Sequence, residues 1–562
     1  MYTNNGSAIV ERYPDSFLAA APISIETLPL LHFSPGGKFL QVCTVGCNLT
    51  CQGCVSEILV RHAESLGSSD KALKIRDVIR MALEEGCMGI AFALNDVIVS
   101  LPTFYRLAEA AHQNGLLIGC STNGYMTESS AAALLPHVDF VNIGLKGVSA
   151  ERYRSCGAKS ADPVYRTIRM LHEGGVHVEV SLVHMNGGED EVTGTASRIA
   201  AISRDIPLQI MRFVPFGDAD LVLEPTIYDS EALCERLKLM LSWVYLFNSP
   251  GTDYLTTYCP ECFSPCIERE FYGPMGSHIT GNVKKQCTCG YHLPVRGIIH
   301  RESFSESGMM GGYRITRGLE MIWAILHCLQ VQDNDTLARI WAEVLQSGML
   351  KKELHDRMNN IEAYDDLIMD LATRSGMIEE GQELSAYIRT RYESVRSKVE
   401  SAPKPRVYYA MGHPLFAINP GRFEGRLVEA AGGEYVNKAI GKEGKPGINI
   451  SREEMMGLNP EFIFTSGFIS SSVSDTSRYC MEHTIDVPAV REGNIYSMHP
   501  TWDFGSPRWI LGLMTIANIL HPDRCQFDIE DEAHQFYTRF YGIPYTSVSP
   551  NRSFAQPGVL HD

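Results

Sequence analysis

Three absences limit what this 562-residue chain can be. It has no apolar run approaching the roughly 20 residues of a membrane-crossing helix, so we expect no membrane span. It has no basic excess, with 49 Lys and Arg against 66 Asp and Glu. The net charge of −17 argues against a partner held through phosphates, so we expect no nucleic acid. Its N-terminus has no basic region ahead of an apolar core, which predicts no secretory signal.

Cysteine is too sparse for a disulfide scaffold, at 16 residues in the whole chain. Several of the 16 lie in groups at short spacing, which in a reducing compartment is typical of metal binding. We therefore expect a cytoplasmic protein in which grouped cysteines bind metal and isolated ones are core. The length predicts more than one domain, because single cores rarely grow beyond about 250–300 residues.

Six apolar, β-rich runs alternate with amphipathic helical patterns between residues 36 and 216. The runs are KFLQVCTV, MGIAFAL, LLIGC, VDFVNIGLK, VHVEVSLV and LQIMRFVPF. Such alternation predicts an α/β fold with a parallel sheet, here a partial (β/α)6 barrel. In barrels of this kind the chemistry lies on loops after the carboxyl ends of the strands.

A cysteine triplet directly follows the first of these strands. In VGCNLTCQGCV the thiols of Cys47, Cys51 and Cys54 are separated by three and then two residues. A structural zinc site takes four ligands, so three cysteines are one short. A cubane iron–sulfur cluster bound by three thiolates would instead keep one iron open for another ligand.

In this position the triplet resembles the radical S-adenosylmethionine (radical SAM) superfamily, in the branch of pyruvate formate-lyase activating enzymes and their relatives. The resemblance spans residues 36–215 together with the cysteine-rich tail, and it includes TNGYM, NIGLKG and VEVSLV. It implies that Cys47, Cys51 and Cys54 hold a [4Fe–4S] cluster whose open iron binds S-adenosyl-L-methionine. It implies an anaerobic enzyme that makes a 5′-deoxyadenosyl radical, and a one-electron reductant such as flavodoxin or ferredoxin.

The same resemblance implies roles for polar residues at the ends of the next strands. Asn95 and Asp96 occupy the motif that holds the amino group of the cosubstrate, and Thr122 and Asn123 line its pocket. Lys146 lies where the family completes this pocket, and we take it as the candidate catalytic residue.

Three positions depart from the family pattern. Asp96-Val97 replaces the usual Glu-Pro, Gly144 stands where many activases carry Asp, and Gly53 replaces a frequent aromatic residue. These departures count against glycyl-radical activation and leave radical SAM chemistry as the leading hypothesis.

A second cysteine group lies in the turn-rich stretch from residue 258 to 295. It consists of two short pairs, Cys259 with Cys262 and Cys287 with Cys289, and a fifth thiol at Cys266. Two such pairs are able to close a tetrahedral S4 site for zinc or iron. Three alternatives stay open: structural zinc or another single metal ion, an auxiliary iron–sulfur cluster, or cysteines without metal.

The C-terminal part resembles the C-terminal lobe of periplasmic binding proteins for iron siderophores, haem and cobalamin. The resemblance covers residues 405–523 and rests on NPEFIF, PAVREGN and GSPR in that order. It implies a bulky, conjugated or metal-chelating ligand. The loops that would face it carry His413, His499, Trp502 and Arg508, although each histidine has the ordinary alternative of a surface or capping residue.

These features predict a radical SAM enzyme that modifies a bulky small-molecule or metal-complex substrate. One alternative is a glycyl-radical activase with a protein partner, and another is a non-catalytic carrier or assembly protein for metal complexes. The expected segments are an N-terminal extension (1–35), the barrel (36–248), a Cys-rich knuckle (249–300), a helical segment (301–402), the binding-protein-like lobe (403–545) and a tail (546–562).

Overall fold

A computed structural model describes residues 2–67, 72–215, 221–306, 308–309, 311–350, 353–469 and 471–545. The chain forms two compact units. Unit 1 comprises Met1–Asn248, Thr252–Gly318 and Trp341–Lys352; unit 2 comprises Ser249–Gly251, Leu319–Ile340 and Glu353–Asp562. Among the described residues, no helix is both long and apolar enough to span a membrane.

An eight-stranded sheet organises unit 1. A small hairpin, β1 (Tyr2–Asn4) and β2 (Ile9–Glu11), precedes it. The eight strands are β3 (Ala19–Ser24), β4 (Lys38–Cys43), β5 (Gly89–Phe92), β6 (Leu117–Thr122), β7 (Phe140–Leu145), β8 (His177–His184), β9 (Leu208–Arg212) and β10 (Val244–Phe247). Strands β4 to β10 run parallel in chain order, and β3 pairs antiparallel with β4 at the edge. All six predicted strands are confirmed, while β3 and β10 were not predicted.

Helices connect consecutive strands of this sheet. They are α1 (Glu57–Arg61), α2 (Ala63–Gly67), α3 (Ile75–Glu84), α4 (Leu101–Gln113), α5 (Glu128–Leu134), α6 (Ala150–Ser155), α7 (Asp162–Glu173), α8 (Glu189–Ala200) and α9 (Ile227–Leu237). Helix α4 ends at a glycine stop, since Gly115 adopts a left-handed φ of 72° just beyond the helix. The predicted α/β fold with a parallel sheet is thereby confirmed.

The two faces of the sheet differ in chemistry. One face is apolar, and residues such as Ile90, Ile118 and Val180 pack with the helices in one continuous core. Because side chains alternate along a strand, the residues between them face the other way. That inner face carries the polar or small residues Gln41, Gly119, Ser121, Asn142, Gly144, Glu179, Ser181 and Gln209, together with Phe39 and Phe140. The N-terminal segment covers part of it, because Asn142 Nδ2 donates to the carbonyl oxygen of Pro29 at 3.0 Å. Phe33 packs there on Phe39 and Phe140.

A second, three-stranded sheet of unit 1 supports the cysteine-rich knuckle. Its strands are β11 (Thr257–Tyr258), β12 (Pro265–Phe271) and β13 (Ser277–Val283), all antiparallel. The buried Arg269 ties it to the N-terminal segment, because Arg269 Nε lies 2.5 Å from Glu26 Oε1 and Nη2 lies 2.9 Å from the carbonyl oxygen of Leu31.

Unit 2 joins helices to a second α/β sheet. The predicted helical stretch consists of α10 (Arg314–Cys328) and α11 (Asn334–Ser347), both divided between the units, then α12 (Glu353–Met358), α13 (Ile361–Ser375) and α14 (Ile378–Val399). The sheet contains β14 (Arg406–Met411), β15 (His413–Ile418), β16 (Glu434–Tyr435), β17 (Gly447–Asn449), β18 (Phe462–Thr465) and β19 (Ile495–Ser497). Its order is β17-β15-β14-β18-β19, with β16 beside β14.

The helices around this second sheet are α15 (Phe423–Ala430), α16 (Arg452–Leu458), α17 (Val473–Glu482), α18 (Pro488–Arg491), α19 (Trp509–Leu520) and α20 (Ile529–Phe536). Strands β14, β18 and β19 are parallel, so their carboxyl ends lie at one edge. The predicted binding-protein-like lobe is thereby confirmed as an α/β element.

Candidate active site

The cysteine triplet lies on the loop that follows β4. Cys47 Sγ accepts a hydrogen bond from the backbone N–H of Leu49 at 3.3 Å and another from Asn123 Nδ2 at 3.5 Å. Gly53 turns the loop with a left-handed φ of 64°, a conformation that strains any other residue. The backbone therefore explains why the aromatic residue frequent in the family is absent at this position.

Asn95 fastens the loop to the end of β5. Its Oδ1 accepts from the N–H of Thr44 at 2.9 Å, and its Nδ2 donates to Thr44 Oγ1 at 2.9 Å and to the carbonyl of Gly46 at 3.2 Å. Asn95 is buried, and it fixes the chain that leads from β4 into the triplet.

Asp96 joins the end of β5 to the end of β6. Its carboxylate accepts from the N–H of Asn123 at 2.7 Å, from Thr122 Oγ1 at 3.0 Å and from the N–H of Ile98 at 3.0 Å. Burial raises the pKa of this carboxyl above its usual range. Both oxygens thus already accept within the protein, and the role of Asp96 toward a cosubstrate stays a prediction.

Lys146 follows β7, and its ammonium lies within electrostatic range of the thiols of the site. Burial lowers the pKa of Lys146, but the thiols of Cys51, Cys54, Cys156 and Cys47 raise it more, so the net shift is upward. A Cβ built at Gly144 would have Lys146 Nζ as its nearest neighbour, at 3.8 Å. The Asp that many activases carry here would fit beside this ammonium, and its absence leaves the charge facing the cysteines.

The thiols themselves are shifted toward their protonated form. Burial raises the pKa of Cys47 to about 11 and also raises that of Cys54. The hydrogen bond with Cys156 raises the pKa of Cys51, and burial adds to this shift. Because metal ligation requires thiolates, loading of this site must release protons.

The donor set fits a cluster held by three thiolates. Three sulfurs come from one short loop, a cation offsets their charge, and hydrogen bonds to Cys47 are already in place. The structure thus brings Asn95, Asp96, Thr122, Asn123 and Lys146 to one edge of the sheet, around the triplet.

The sequence did not indicate two further residues at this edge. The hydroxyl of Tyr313 shares a hydrogen bond with Ser121 of β6, and it lies within electrostatic range of Lys146 and Cys54. Tyr313 precedes α10, far along the chain from the barrel strands, and no local pattern distinguishes it. Ser121 was part of a predicted strand, but only the sheet register places it on the inner face.

Replacing Lys146 tests the electrostatics of the site. Lys146→Met removes the cation facing the thiolates, and we expect the rate of 5′-deoxyadenosine formation to fall about 10- to 100-fold, since one well-placed charge contributes a few kcal/mol. Lys146→Arg should retain most of the rate, and Lys159→Met, at an exposed lysine, should match the wild type. An unchanged rate in Lys146→Met would contradict the assigned role.

The fold brings the four paired cysteines of the second group together. Cys259 and Cys262 lie between β11 and β12, and Cys287 and Cys289 follow β13. Cys259 Sγ is 3.5 Å from Cys289 Sγ, Cys262 Sγ is 3.4 Å from Cys287 Sγ, and all four sulfurs lie within 4.8 Å of one another. Metal–sulfur bonds of about 2.3 Å place tetrahedral sulfurs about 3.8 Å apart. The four thiols fit a single tetrahedral ion.

The fifth thiol, Cys266, lies at the start of β12 beside this set. It is buried, and it makes a hydrogen bond with Cys287. Since the four other sulfurs would suffice for a tetrahedral ion, Cys266 would be a neighbour of such a site and not a ligand.

In unit 2, two of the predicted ligand-facing residues stack on each other. The rings of His499 and Trp502 are 4.5 Å apart with an interplanar angle of 16°, and Tyr545 flanks both. Both residues follow β19, at the edge where the parallel strands end. Trp502 Nε1 and the neighbouring Asp503 Oδ1 are buried and make no hydrogen bond within the described residues. Burial raises the pKa of Asp503 to about 6.

Of the other two predicted residues, Arg508 contacts this aromatic group and His413 does not. Arg508 Nη1 contacts the hydroxyl of Tyr537 at 3.2 Å, and Tyr537 in turn packs on Tyr545, so Arg508 joins the same aromatic group. His413 packs edge-on against Tyr479, with ring centres 4.4 Å apart. The structure thus brings His499, Trp502 and Arg508 together and places His413 in another set of contacts.

The two histidines in this set, His413 and His499, predict that unit 2 loses stability in acid. Burial lowers the pKa of both His413 and His499 to about 4, below the roughly 6.5 of an unfolded chain. The unfolded state therefore binds more protons below pH 6.5, and stability falls as the pH drops from about 6.5 to about 4, by at most about 3 kcal/mol per histidine.

We expect hydrogen exchange of β14 and β18 to speed up between pH 7 and pH 5 beyond its intrinsic trend. The variant His413→Gln/His499→Gln should lose most of this response, and His534→Gln, at an exposed histidine on α20, should retain it. Equal responses in all three proteins would contradict the prediction.

Two family models match this chain. Residues 42–196 match the Radical SAM superfamily, and residues 322–501 match the family described as Periplasmic binding protein. An uncharacterized protein of Methanocaldococcus jannaschii is 26% identical over 278 residues, which are 48% of this chain and 82% of that protein.

Solved structures similar to the chain include three binding proteins. A periplasmic solute binding protein of Veillonella parvula is 23% identical with a TM-score of 0.30, covering 33% of this chain and 58% of that one. The molybdate-binding protein MolA of Haemophilus influenzae is 20% identical with a TM-score of 0.29, covering 33% and 57%. The vitamin B12 binding protein BtuF of Vibrio cholerae is 19% identical with a TM-score of 0.28, covering 34% and 71%. The chain thus covers less than two thirds of the first two.

The first family match contains the triplet and the strand ends around it, so residues 42–196 are a radical SAM domain. The chain therefore contains the domain of this superfamily. It also carries a periplasmic-binding-protein-like domain, which begins at residue 322, well before the residues 405–523 on which the sequence resemblance rests.

Proposed function

We propose that this protein binds a [4Fe–4S] cluster through Cys47, Cys51 and Cys54 and cleaves S-adenosyl-L-methionine reductively to modify a bulky substrate. One observation carries the proposal: residues at the ends of four successive strands hold the triplet loop, and the half-buried cation of Lys146 acts on its thiols. The cluster, when bound and reduced, supplies the electron that splits the sulfonium into methionine and a 5′-deoxyadenosyl radical.

The chain's own residues would hold and orient the reactants. Asn123 donates to Cys47, and Asn95 and Asp96 keep the ends of β4, β5 and β6 together, so the loop is preorganised. Lys146 stabilises negative charge on the thiolates. The small residue Gly144 leaves room on the inner face, where Ser121 and Tyr313 would exclude water from the radical.

The substrate class rests on unit 2. We propose a tetrapyrrole, corrinoid or other metal chelate, because His499 and Trp502 form a stacked aromatic pair, and the buried Trp502 Nε1 and Asp503 Oδ1 need polar partners. Arg508 would pair with a carboxylate of such a ligand. His413 has no part in this arrangement.

The knuckle would carry a single structural metal ion, for which we propose zinc. Sulfur–sulfur distances of 3.4 and 3.5 Å support one tetrahedral ion, whereas a cubane spreads its four thiolates over four irons. Ligation is complete with four sulfurs, so the ion would stabilise the fold and take no substrate.

The working conditions follow from the cluster. We propose an anaerobic, cytoplasmic enzyme that receives single electrons from flavodoxin or ferredoxin, since an open iron site is sensitive to oxygen. Glycyl-radical activation of a protein partner is the less supported alternative, because Gly144 lacks the activase carboxylate beside Lys146.

The test is an anaerobic turnover assay of the full chain. The protein is reconstituted with iron and sulfide, reduced with dithionite and supplied with S-adenosyl-L-methionine, with and without hemin or cobalamin. Formation of 5′-deoxyadenosine, accelerated by one of these probes, is the expected result. A fully loaded cluster without product under every condition would favour the carrier alternative.

A further inference from the structure

Cys156 follows α6, and its sequence context gives no sign of a role, so the sequence predicts an ordinary core cysteine. The structure places its thiol in a hydrogen bond with Cys51, the middle member of the triplet. Its carbonyl also accepts from the backbone N–H of Thr50 at 2.9 Å. Two separate contacts thus attach the end of α6 to the triplet loop.

This position is fixed by its surroundings. Cys156 is 4% exposed, and its N–H donates to the carbonyl of Tyr153 at 3.1 Å. The hydroxyl of Tyr153 in turn accepts from the N–H of Lys146 at 3.4 Å. Gly157 is left-handed, and a Cβ there would come within 2.8 Å of Thr50 Oγ1. The backbone just after α6 therefore comes so close to the loop that a side chain at Gly157 would clash with Thr50.

We propose that Cys156 is a positioning residue that donates an S–H hydrogen bond to Cys51 Sγ and so raises the reduction potential of the cluster. This inference rests on the proposed function, in which Cys51 ligates iron. A ligating sulfur carries no proton and only accepts, so the proton shared by the two thiols must then reside on Cys156.

The direction of the effect follows from charge. Reduction adds one negative charge to the cluster and its thiolates, and a donor aimed at a ligand sulfur stabilises that charge. Cys156 and Cys234 lie in the same core, and Cys156 differs by its hydrogen bond with Cys51. Cys234 therefore provides a matched control for the same chemical change.

The experiment is a redox titration of the reconstituted full chain, followed by the electron paramagnetic resonance signal of the reduced cluster. The proteins are the wild type, Cys156→Ala, Cys156→Val, Cys156→Ser and Cys234→Ala. We expect the midpoint potential to shift downward in Cys156→Ala and Cys156→Val, and to stay near the wild-type value in Cys156→Ser, which keeps a donor, and in Cys234→Ala. Electron transfer from a fixed reductant should slow in parallel.

The possible outcomes distinguish a failure of the inference about Cys156 from a failure of the proposed function. If the wild type assembles no cluster, the proposed function fails. If clusters assemble and the apolar variants titrate like the wild type, the inference about Cys156 fails alone. If both apolar variants lose the cluster while Cys156→Ser retains it, Cys156 serves assembly, and the proposed tuning role is overturned.

Discussion

Replacing any one cysteine of the triplet should abolish formation of 5′-deoxyadenosine. Cys47→Ala, Cys51→Ala and Cys54→Ala each leave the cluster with two thiolates, and we expect a loss of at least about 10³-fold, on the scale seen when one member of an obligate catalytic unit is removed. The triple variant should be no worse than each single variant, because members of such a unit act together.

The readouts are product formation and bound iron and sulfide after anaerobic reconstitution. Cys87→Ala, at a buried cysteine just before β5, makes the same change without touching the loop and should retain both iron and activity. If a single triplet variant kept its iron and a tenth or more of the wild-type rate, the ligand assignment would be wrong at that position.

Loss of one knuckle cysteine should release one metal ion and destabilise unit 1. Cys262→Ser and Cys289→Ser remove ligands that lie on the surface, so little packing is lost with them. We expect the content of the knuckle metal to fall from one ion per chain to near zero. The stability lost should reach several kcal/mol, since structural zinc contributes about 10–16 kcal/mol in zinc-finger peptides.

Elemental analysis and the thermal unfolding midpoint check this expectation, with the triplet replaced by alanine so that cluster iron does not confuse the metal count. Cys266→Ser is the matched control, because Cys266 is the fifth thiol of the group and lies beside Cys287 without completing the tetrahedron. It should keep the ion. Acid-labile sulfide in the triplet-free protein would contradict a single ion and indicate an auxiliary cluster.

Local pattern predicted most of the eight-stranded sheet but missed its edge strands. The six runs became β4 to β9 because alternating strands and helices leave few other ways to bury their apolar faces. Strand β3 has the sequence AAAPIS, rich in residues that strands disfavour, and it forms because it pairs along β4, with Pro22 opposite Leu40. Strand β10, VYLF, carried an apolar signal that would have continued the alternation by one strand.

The residues of the candidate site were likewise only partly predictable from the sequence. Asn95, Asp96, Thr122, Asn123 and Lys146 were predictable, since each ends a strand and parallel strands end at one edge. Cys156 and Tyr313 reach that edge from outside the strand ends, through contacts that no local spacing encodes. The grouping of His499 with Trp502, and the exclusion of His413 from it, likewise depends on tertiary packing.

The contacts of the N-terminal residues determine where a shorter fragment for expression should begin. Glu179, on the inner face of β8, accepts from the backbone N–H groups of Leu31 at 3.0 Å and His32 at 2.7 Å. A fragment that starts at the first predicted strand would leave this buried carboxylate without those donors and Arg269 without Glu26. It would also uncover the edge of β4 that β3 protects, and such bare edges aggregate. Clones for studying the barrel alone should therefore retain the first 35 residues.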